Sequence, residues 1–249
     1  MLKHERQQHI LARLIEQGQV QLGPLSVELQ VSEDTVRRDV DDLQRQGLLS
    51  KVRGGALPSS PIPDAFGARE RHDATAKQDI ARKARTLIRD GQLIILDAGT
   101  TVTWLARTLA SAHCLTVATN SLPAANVLLD YPGVEVRLAG GLLHAPYRVT
   151  LGNEAIDFFR QVRADICFLG AYGLHPEVGL TVASAEEAAV KRAMMRSAAH
   201  VVALVTTEKL GTAAQYVVCP ADAIHTLVTA DTETSAAKNV YSKLGITVL

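Results

Sequence analysis

A chain of 249 residues, 47% apolar and 21% charged, is long enough for one large domain or two and can bury a real core. Aromatic residues are only 4%, so that core is built from Leu, Val, Ile and Ala. Lys plus Arg and Asp plus Glu balance at 26 each, which excludes whole-molecule attraction to a polyanion and leaves a local basic patch as the only route to nucleic acid.

Ile10, Leu11 and Leu14 recur at helical spacing and predict a first helix that Gly18 ends. A second short helix is expected from Pro24, where the missing N–H costs nothing, with Leu25 and Leu29 on one face. The run V-S-E-D-T-V-R-R-D-V-D-D-L (31–43) predicts a third helix, with Ser32 as its N-cap and Val36, Val40 and Leu43 as its inward stripe. At about 100° per residue, Asp34, Thr35 and Arg38 then face outward near the helix start, with Arg37 on the flank. Two short helices joined by a tight turn, the second opening on small polar and arginine side chains, follow helix-turn-helix logic. The start of such a helix enters the major groove, where arginine on guanine O6 and N7 contributes about 1–3 kcal/mol of discrimination. After Gly47, L-L-S-K-V-R-G-G-A-L (48–57) alternates apolar and basic residues up to a glycine pair. This predicts a β-hairpin wing with Lys51 and Arg53 placed for phosphate contacts. The candidate DNA-contacting residues are Ser32, Thr35, Arg37, Arg38, Lys51 and Arg53. Asp34, Asp39, Asp41 and Asp42 weigh against them, because acids oppose the approach of phosphate.

P-S-S-P-I-P (58–63) has no periodicity and reads as a domain boundary stiffened by its prolines. From about Arg69 a helix is expected to carry Ile80, Ala81, Ala84, Leu87 and Ile88 to Gly91. Beyond it, apolar runs at 93–96, 115–118, 134–138, 166–169, 201–205, 227–229 and 246–249 alternate with helical stretches, clearest at 102–110, 122–129 and 186–199. That alternation predicts an α/β domain with a mainly parallel sheet. The expected division is a winged helix-turn-helix domain at 1–57, a linker and the start of a connecting helix at 58–76, and a larger domain at 77–249.

In such sheets ligands bind beyond the carboxyl ends of the strands. D-A-G-T-T (97–101), T-N-S (119–121), A-G-G (139–141) and K-L-G (209–211) follow four of the runs. Gly99 lets the backbone approach a ligand, Thr100 and Thr101 supply hydroxyls and N–H groups at a helix N-terminus, and Lys209 supplies a cation. A phosphate suits that combination. Asp97 repels phosphate, so it either accepts from sugar hydroxyls or orders the loop. Each turn alone has a plain explanation as a capped helix start; four together point to a crevice. The candidate effector-binding residues are Asp97, Gly99, Thr100, Thr101, Asn120, Gly140, Gly141 and Lys209. Trp104 reads as core packing against Leu105 and Leu109. His144, Tyr147 and Arg148 fall in a stretch expected to be a mobile loop, from which Arg148 is a possible effector clamp. Cys114, Cys167 and Cys219 are far apart without a C-x-x-C pair and are expected to be buried thiols, not a disulfide framework or zinc site. His113, His175, His200 and His225 lack metal-ligand spacing. No signal-peptide pattern or long apolar stretch is present, so a cytoplasmic chain with no membrane partner is expected.

The N-terminal pattern, with G-L-L (47–49) and R-G-G-A (53–56), resembles the DeoR-type bacterial repressors, and Arg37, Arg38 and Asp39 match that family's signature directly. The remainder is similar to the DeoR-type C-terminal sensor through K-x-x-I-A (77–81), L-D-A-G-T-T (96–101), T-N-S-L (119–122), A-G-G (139–141), D-x-x-F-L-G-A (165–171), G-L (179–180), E-E-A (186–188) with K-R (191–192), and K-L-G (209–211). The resemblance implies a sensor domain with a fold related to ribose-5-phosphate isomerase and a phosphorylated sugar as effector, without a cofactor. It also implies a homodimer or homotetramer on double-stranded operator DNA of a carbohydrate-metabolism operon, released when the effector binds. Two stretches depart from the family pattern. V-T-T-E-K (205–209) lacks the usual aspartate and serine before the lysine, and T-A-D (229–231) interrupts the usual T-D pair.

The enzyme alternative is a sugar-phosphate isomerase carrying a DNA-binding domain. Aldose–ketose isomerisation needs a base and an acid, and the isomerases of this fold carry an acidic loop where this chain has L-G-A-Y-G (169–173). Lys191 holds the position of the base, and Glu186 and Glu187 stand on the same helix at a different spacing. The site reads as competent to bind and empty of catalysis. A dinucleotide sensor needs G-x-G-x-x-G, and D-A-G-T-T-V has one glycine where three are required.

Overall fold

The computed structural model describes residues 1–59, 66–112, 114–230 and 235–249, with side chains in the last stretch from 239 onward. Most of the P-S-S-P-I-P boundary, His113 and Asp231 lie outside the described residues.

The N-terminal unit runs α1 (Lys3–Gln17), β1 (Val20–Gln21), α2 (Leu22–Leu29), α3 (Glu33–Arg45), β2 (Leu49–Val52) and β3 (Gly55–Pro58). Gly18 closes α1 in the left-handed conformation, φ 71°. The α2 helix starts at Leu22 and not at Pro24, because Leu22 is buried in the core and proline is still harmless in the first turn. Ile10, Leu14, Leu25, Leu29, Val36, Val40, Leu43 and Leu49 close a separate core. The wing pairs β2 with β3 as expected, and β1 adds a third strand to β3 that periodicity did not announce. Gly55 permits that crossing, since a β-carbon there would lie 2.1 Å from the Val20 carbonyl oxygen.

The larger unit follows as α4 (Phe66–Arg71), α5 (Ala74–Arg85), β4 (Leu93–Leu96), α6 (Thr100–Arg107), β5 (Leu115–Thr119), α7 (Leu122–Leu128), β6 (Val134–Leu138), β7 (Leu142–His144), β8 (Val149–Leu151) and α8 (Asn153–Arg160). It continues with β9 (Ala164–Gly170), β10 (Gly173–His175), β11 (Gly179–Val182), α9 (Ala185–Arg196), β12 (Ala198–Leu204), β13 (Tyr216–Cys219), β14 (Thr226–Val228), α10 (Ser235–Ser242) and β15 (Thr247–Val248). The seven expected apolar runs are the seven strands of one sheet, ordered β15-β14-β12-β9-β4-β5-β6, with every neighbouring pair parallel. Both faces are buried: Ile95, Cys167, Leu169, Val201 and Ala203 join one core with residues of α8 and α9. Their chain neighbours Ile94, Leu96, Phe168, Val202 and Leu204 join a second with residues of α5, α6 and α7.

Three expectations change. The helix expected from Arg69 to Gly91 is two helices, broken where Asp73 adopts φ 46° and accepts from the Ala76 N–H to cap α5. The buried Lys77 ammonium donates to the carbonyls of Arg69 and His72 at the end of α4, which fixes the bend. The stretch around His144 to Arg148 is not an open loop but the turn of a β7–β8 hairpin, with Leu143 opposite Thr150 and Arg148 at φ 56°. Cys167 and Cys219 are buried, but Cys114 is exposed, in a left-handed turn just before β5. Among the described residues no His, Cys, Asp and Glu cluster can hold a metal, and no helix is long and apolar enough to cross a membrane. His200 and His225, apart in sequence, stack with ring centroids 4.8 Å apart.

Candidate functional site

A crevice opens at the carboxyl ends of the neighbouring strands β12, β9 and β4. Its wall is made of Ala98, Gly99, Thr100 and Thr101 after β4, Gly170, Ala171 and Tyr172 at the end of β9, and Lys209 beyond β12. Glu187 and Lys191 come from α9, Tyr147 and Val149 from the β7–β8 hairpin, and Arg69 from α4. Gly99 starts α6 at φ 128°, outside the range of other residues, and brings no side-chain cap. The side chains of Ser32, Asp73, Ser121 and Ser184 cap α3, α5, α7 and α9. As at α2 and α8, no side chain caps α6, and its first-turn N–H groups lie beside the crevice at the positive end of the helix dipole.

Beneath this loop the Asp97 carboxylate is 1% exposed, accepts from the Gly170 N–H at 2.9 Å and pairs with the Lys191 ammonium. Lys191 also donates to the Gly170 carbonyl at 3.1 Å and stands 3.4 Å from Glu187. Burial pushes the Asp97 carboxyl above its ordinary range, against the pull of Lys191. Burial also opposes the Lys191 ammonium, but the attraction of Asp97 and Glu187 carries it above the ordinary value. Lys209 has no such partner in contact: its ammonium donates to the Ala171 carbonyl at 2.9 Å. Burial, then the nearby charges of Lys77 and Arg69, bring it down to about 7. Arg69 stacks on the Tyr147 ring at 4.7 Å, and its buried Nε has no hydrogen-bond partner. With Lys191 held by Asp97 and Glu187, Arg69 and Lys209 are the basic side chains of the wall left to meet an anion.

Gly99, Thr100, Thr101 and Lys209 come together on this wall, with Asp97 behind it. Asn120, Gly140 and Gly141 do not line it. Asn120 donates to the Thr150 carbonyl at 2.9 Å, tying the end of β5 to β8, and a β-carbon on Gly141 would lie 2.4 Å from the Leu151 carbonyl oxygen. Asn120 and Gly141 seat the hairpin that brings Tyr147 and Val149 to the crevice, while Gly140 is exposed with open space around it. Arg148 instead stacks over Phe66, 5.0 Å from the ring centroid, in a neighbouring groove. Trp104 packs against the core shared by Leu105 and Leu109 and carries Arg107 on its face. Sequence reasoning missed Arg69 and Tyr147, which no motif marked. In the two departing stretches, Glu208 pairs with His72 at 2.7 Å, and Thr229 is buried with its carbonyl held by Lys83 at 2.9 Å.

On the N-terminal unit, Ser32 accepts from the Thr35 N–H at 3.2 Å and so caps α3. Arg37 and Arg38 are exposed, paired one turn back with Glu33 at 3.1 Å and Asp34 at 2.6 Å, and such surface pairs are weak. Arg53 is exposed at the wing turn, and Lys51 pairs with Asp41. Asp39 is buried and accepts from Arg6 Nε at 2.7 Å, locking α1 to α3, while Asp42 meets Lys3 and Arg45. All four acids that weighed against a DNA-facing surface are thus paired within the unit, Asp34 and Asp41 with the DNA-contact candidates Arg38 and Lys51 themselves.

Residues 6–61 match the family described as the DeoR-like helix-turn-helix domain, and residues 72–231 match the DeoR C terminal sensor domain. The HTH-type transcriptional repressor GlcR of Bacillus subtilis is 34% identical over 251 residues, covering 100% of this chain and 96% of that protein. The HTH-type transcriptional regulator GolR of Listeria innocua is 32% identical, covering 100% and 98%. The glycerol-3-phosphate regulon repressor of Escherichia coli is 32% identical over 212 residues, covering 85% and 84%. Among solved structures, ribose 5-phosphate isomerase A of Methanocaldococcus jannaschii aligns with a TM-score of 0.41 at 19% identity, covering 55% of each chain.

Proposed function

The chain belongs to the DeoR family of transcriptional regulators, and we propose that it is a DNA-binding repressor of a carbohydrate-metabolism operon whose hold on operator DNA is released by a phosphorylated sugar. It is a regulator and not an enzyme: its relatives are named as regulators along their whole length, and a helix-turn-helix domain precedes the sensor. The observation that carries the effector reading is the uncapped N-terminus of α6 at Gly99–Thr101, sharing one wall with Lys209 and Arg69. The phosphate sits on the first-turn N–H groups and the Thr100 and Thr101 hydroxyls, with Lys209 as counter-charge. Asp97 orders the loop from below, and Asn120 and Gly141 act through the hairpin they seat. Thr35, Arg37 and Arg38 enter the major groove, while Lys51 and Arg53 meet backbone phosphates. The name of the Escherichia coli relative, a glycerol-3-phosphate regulon repressor, supports a small phosphate ester as the class of signal. The effector weakens DNA binding only by its own difference in affinity between the two arrangements, and DNA weakens effector binding by the same factor.

A thermal-shift screen against phosphorylated sugars tests this directly, because a ligand at 100 times its Kd adds about 2.7 kcal/mol of stability. Operator release is then followed by fluorescence anisotropy with the best ligand. Replacing Thr100 and Thr101 by Val keeps operator binding and loses release. Normal release from that variant would remove the loop as the phosphate site, and conversion of any of the sugars to a product would return the isomerase reading.

A further inference from the structure

The seven-stranded sheet ends at β6, and among the described residues nothing pairs with its outer edge. Which atoms face outward follows from the ladder. The Leu115 N–H bonds the Gly133 carbonyl at 3.0 Å and the Ala139 N–H bonds the Thr119 carbonyl at 2.8 Å. Leu115 lies opposite Val134 and Thr119 opposite Leu138. In a parallel ladder this means that Gly133, Glu135, Arg137 and Ala139 turn their amides to β5, while Val134, Val136 and Leu138 turn theirs outward. The outward N–H of Val134 is taken by the Tyr131 carbonyl at 3.0 Å; those of Val136 and Leu138 have no partner among the described residues. Such an edge is a template for another strand.

The side chains of V-E-V-R-L read as a sequence that is complementary to itself when reversed. We propose that β6 pairs antiparallel with β6 of a second copy, about a two-fold axis through Val136, and joins two sheets into one. In this register Val136 meets Val136 of the second copy, each giving its N–H to the other's carbonyl. The Leu138 N–H reaches the Val134 carbonyl across the axis. Glu135 falls opposite Arg137 and Arg137 opposite Glu135, in the non-hydrogen-bonded positions where facing side chains come closest. The neighbouring registers fail. A slip by one puts an outward amide against an inward one, and a slip by two sets Glu135 on Glu135 or Arg137 on Arg137. Within one chain Glu135 and Arg137 already pair at 2.9 Å, both side chains more than half exposed, so the exchange keeps each charge matched. Leu138, 44% exposed on the face it shares with Val134 and Val136, is covered by Val134 of the second copy. The contact is isologous, as a closed two-fold dimer requires.

Sedimentation velocity on the full chain tests this with charge variants. Wild type assembles at micromolar concentration. Glu135→Arg sets Arg against Arg, Arg137→Glu sets Glu against Glu, and each weakens self-association by about tenfold or more. Mixing the two single variants restores a mixed dimer, and the double swap Glu135→Arg with Arg137→Glu restores the self-paired one. Val136→Pro deletes the exchanged N–H without touching the ladder to β5 and also weakens assembly. Recovery in the mixture and in the double swap separates a lost interface from a lost fold. Monomeric wild type would mean that the charges only guard the edge and would overturn the proposal, as would single variants that assemble like wild type or a mixture that stays apart.

Discussion

Lys191 and Lys209 stand on one wall and differ in what surrounds the ammonium. Lys191 is buried against Asp97, a residue 94 positions away, and this pair holds the floor of the crevice. Lys191→Met leaves the Asp97 carboxylate buried and alone, which costs about 3–5 kcal/mol in urea denaturation. Asp97→Asn combined with Lys191→Met recovers most of it; a cost below about 1 kcal/mol for the single change would mean that water reaches the pair. Lys209 faces the opposite situation, with its folded value near 7 against an ordinary 10.5. An arriving phosphate favours its charged form, so affinity is full below about pH 7 and falls by up to about tenfold per unit above it, until the bound-state value is reached. At pH 8 a phosphate monoester is already a dianion, since its second pKa is about 6, and binding therefore takes up protons at Lys209. Calorimetry in buffers of different ionisation heat measures that uptake, and heats independent of buffer would remove Lys209 from the phosphate site. From the sequence, Asp97 stood between accepting a sugar hydroxyl and ordering the loop. Only the position of Lys191 separates the two.

The α3 helix was legible in detail because its cap, inward stripe and outward face are all local in sequence. Ser32 caps it, Val36, Val40 and Leu43 are buried, and Arg38 is exposed near its start. Arg38→Ala should therefore weaken operator binding by about 1–3 kcal/mol if it reads a base, and by a similar amount on every sequence if it only touches phosphate. Anisotropy with operator and scrambled duplexes tells the two apart, and unchanged affinity for both would move the recognition face elsewhere. The inner sheet strands were legible for a different reason: strands buried on both faces read as unbroken apolar runs, whereas β6 at the edge alternates, with Glu135 and Arg137 exposed. The short strands β1, β7, β8, β10, β11 and β13 span two to four residues, too few for a period to show. They form by pairing with partners that propensity does not mention. The break between α4 and α5 was hidden similarly, since Asp73 at φ 46° and the Lys77 contacts to α4 are set by where those helices pack.

Across the molecule, the two units come together where a switch needs them. α4 follows the wing, lends Arg69 to the crevice wall, and through His72 pairs with Glu208, the residue before Lys209. The end of the wing touches the larger unit where the Ala213 N–H meets the Pro58 carbonyl at 3.4 Å. Arg69 on α4 and Lys209 beyond β12 thus share one wall next to the segment that follows the wing. By itself the sequence determined the strand set of the parallel sheet, the Ser32-capped helix α3 and the glycine-led start of α6. Those are matters of local periodicity, capping and backbone freedom, and neighbours in the chain decide them. The tertiary structure alone decided that Arg69 and Tyr147 join the wall, that Asn120, Gly140 and Gly141 do not line it, and that Asp39 turns inward to Arg6. Burial and charge pairing act between residues far apart in the chain, and no local pattern encodes which of them will meet.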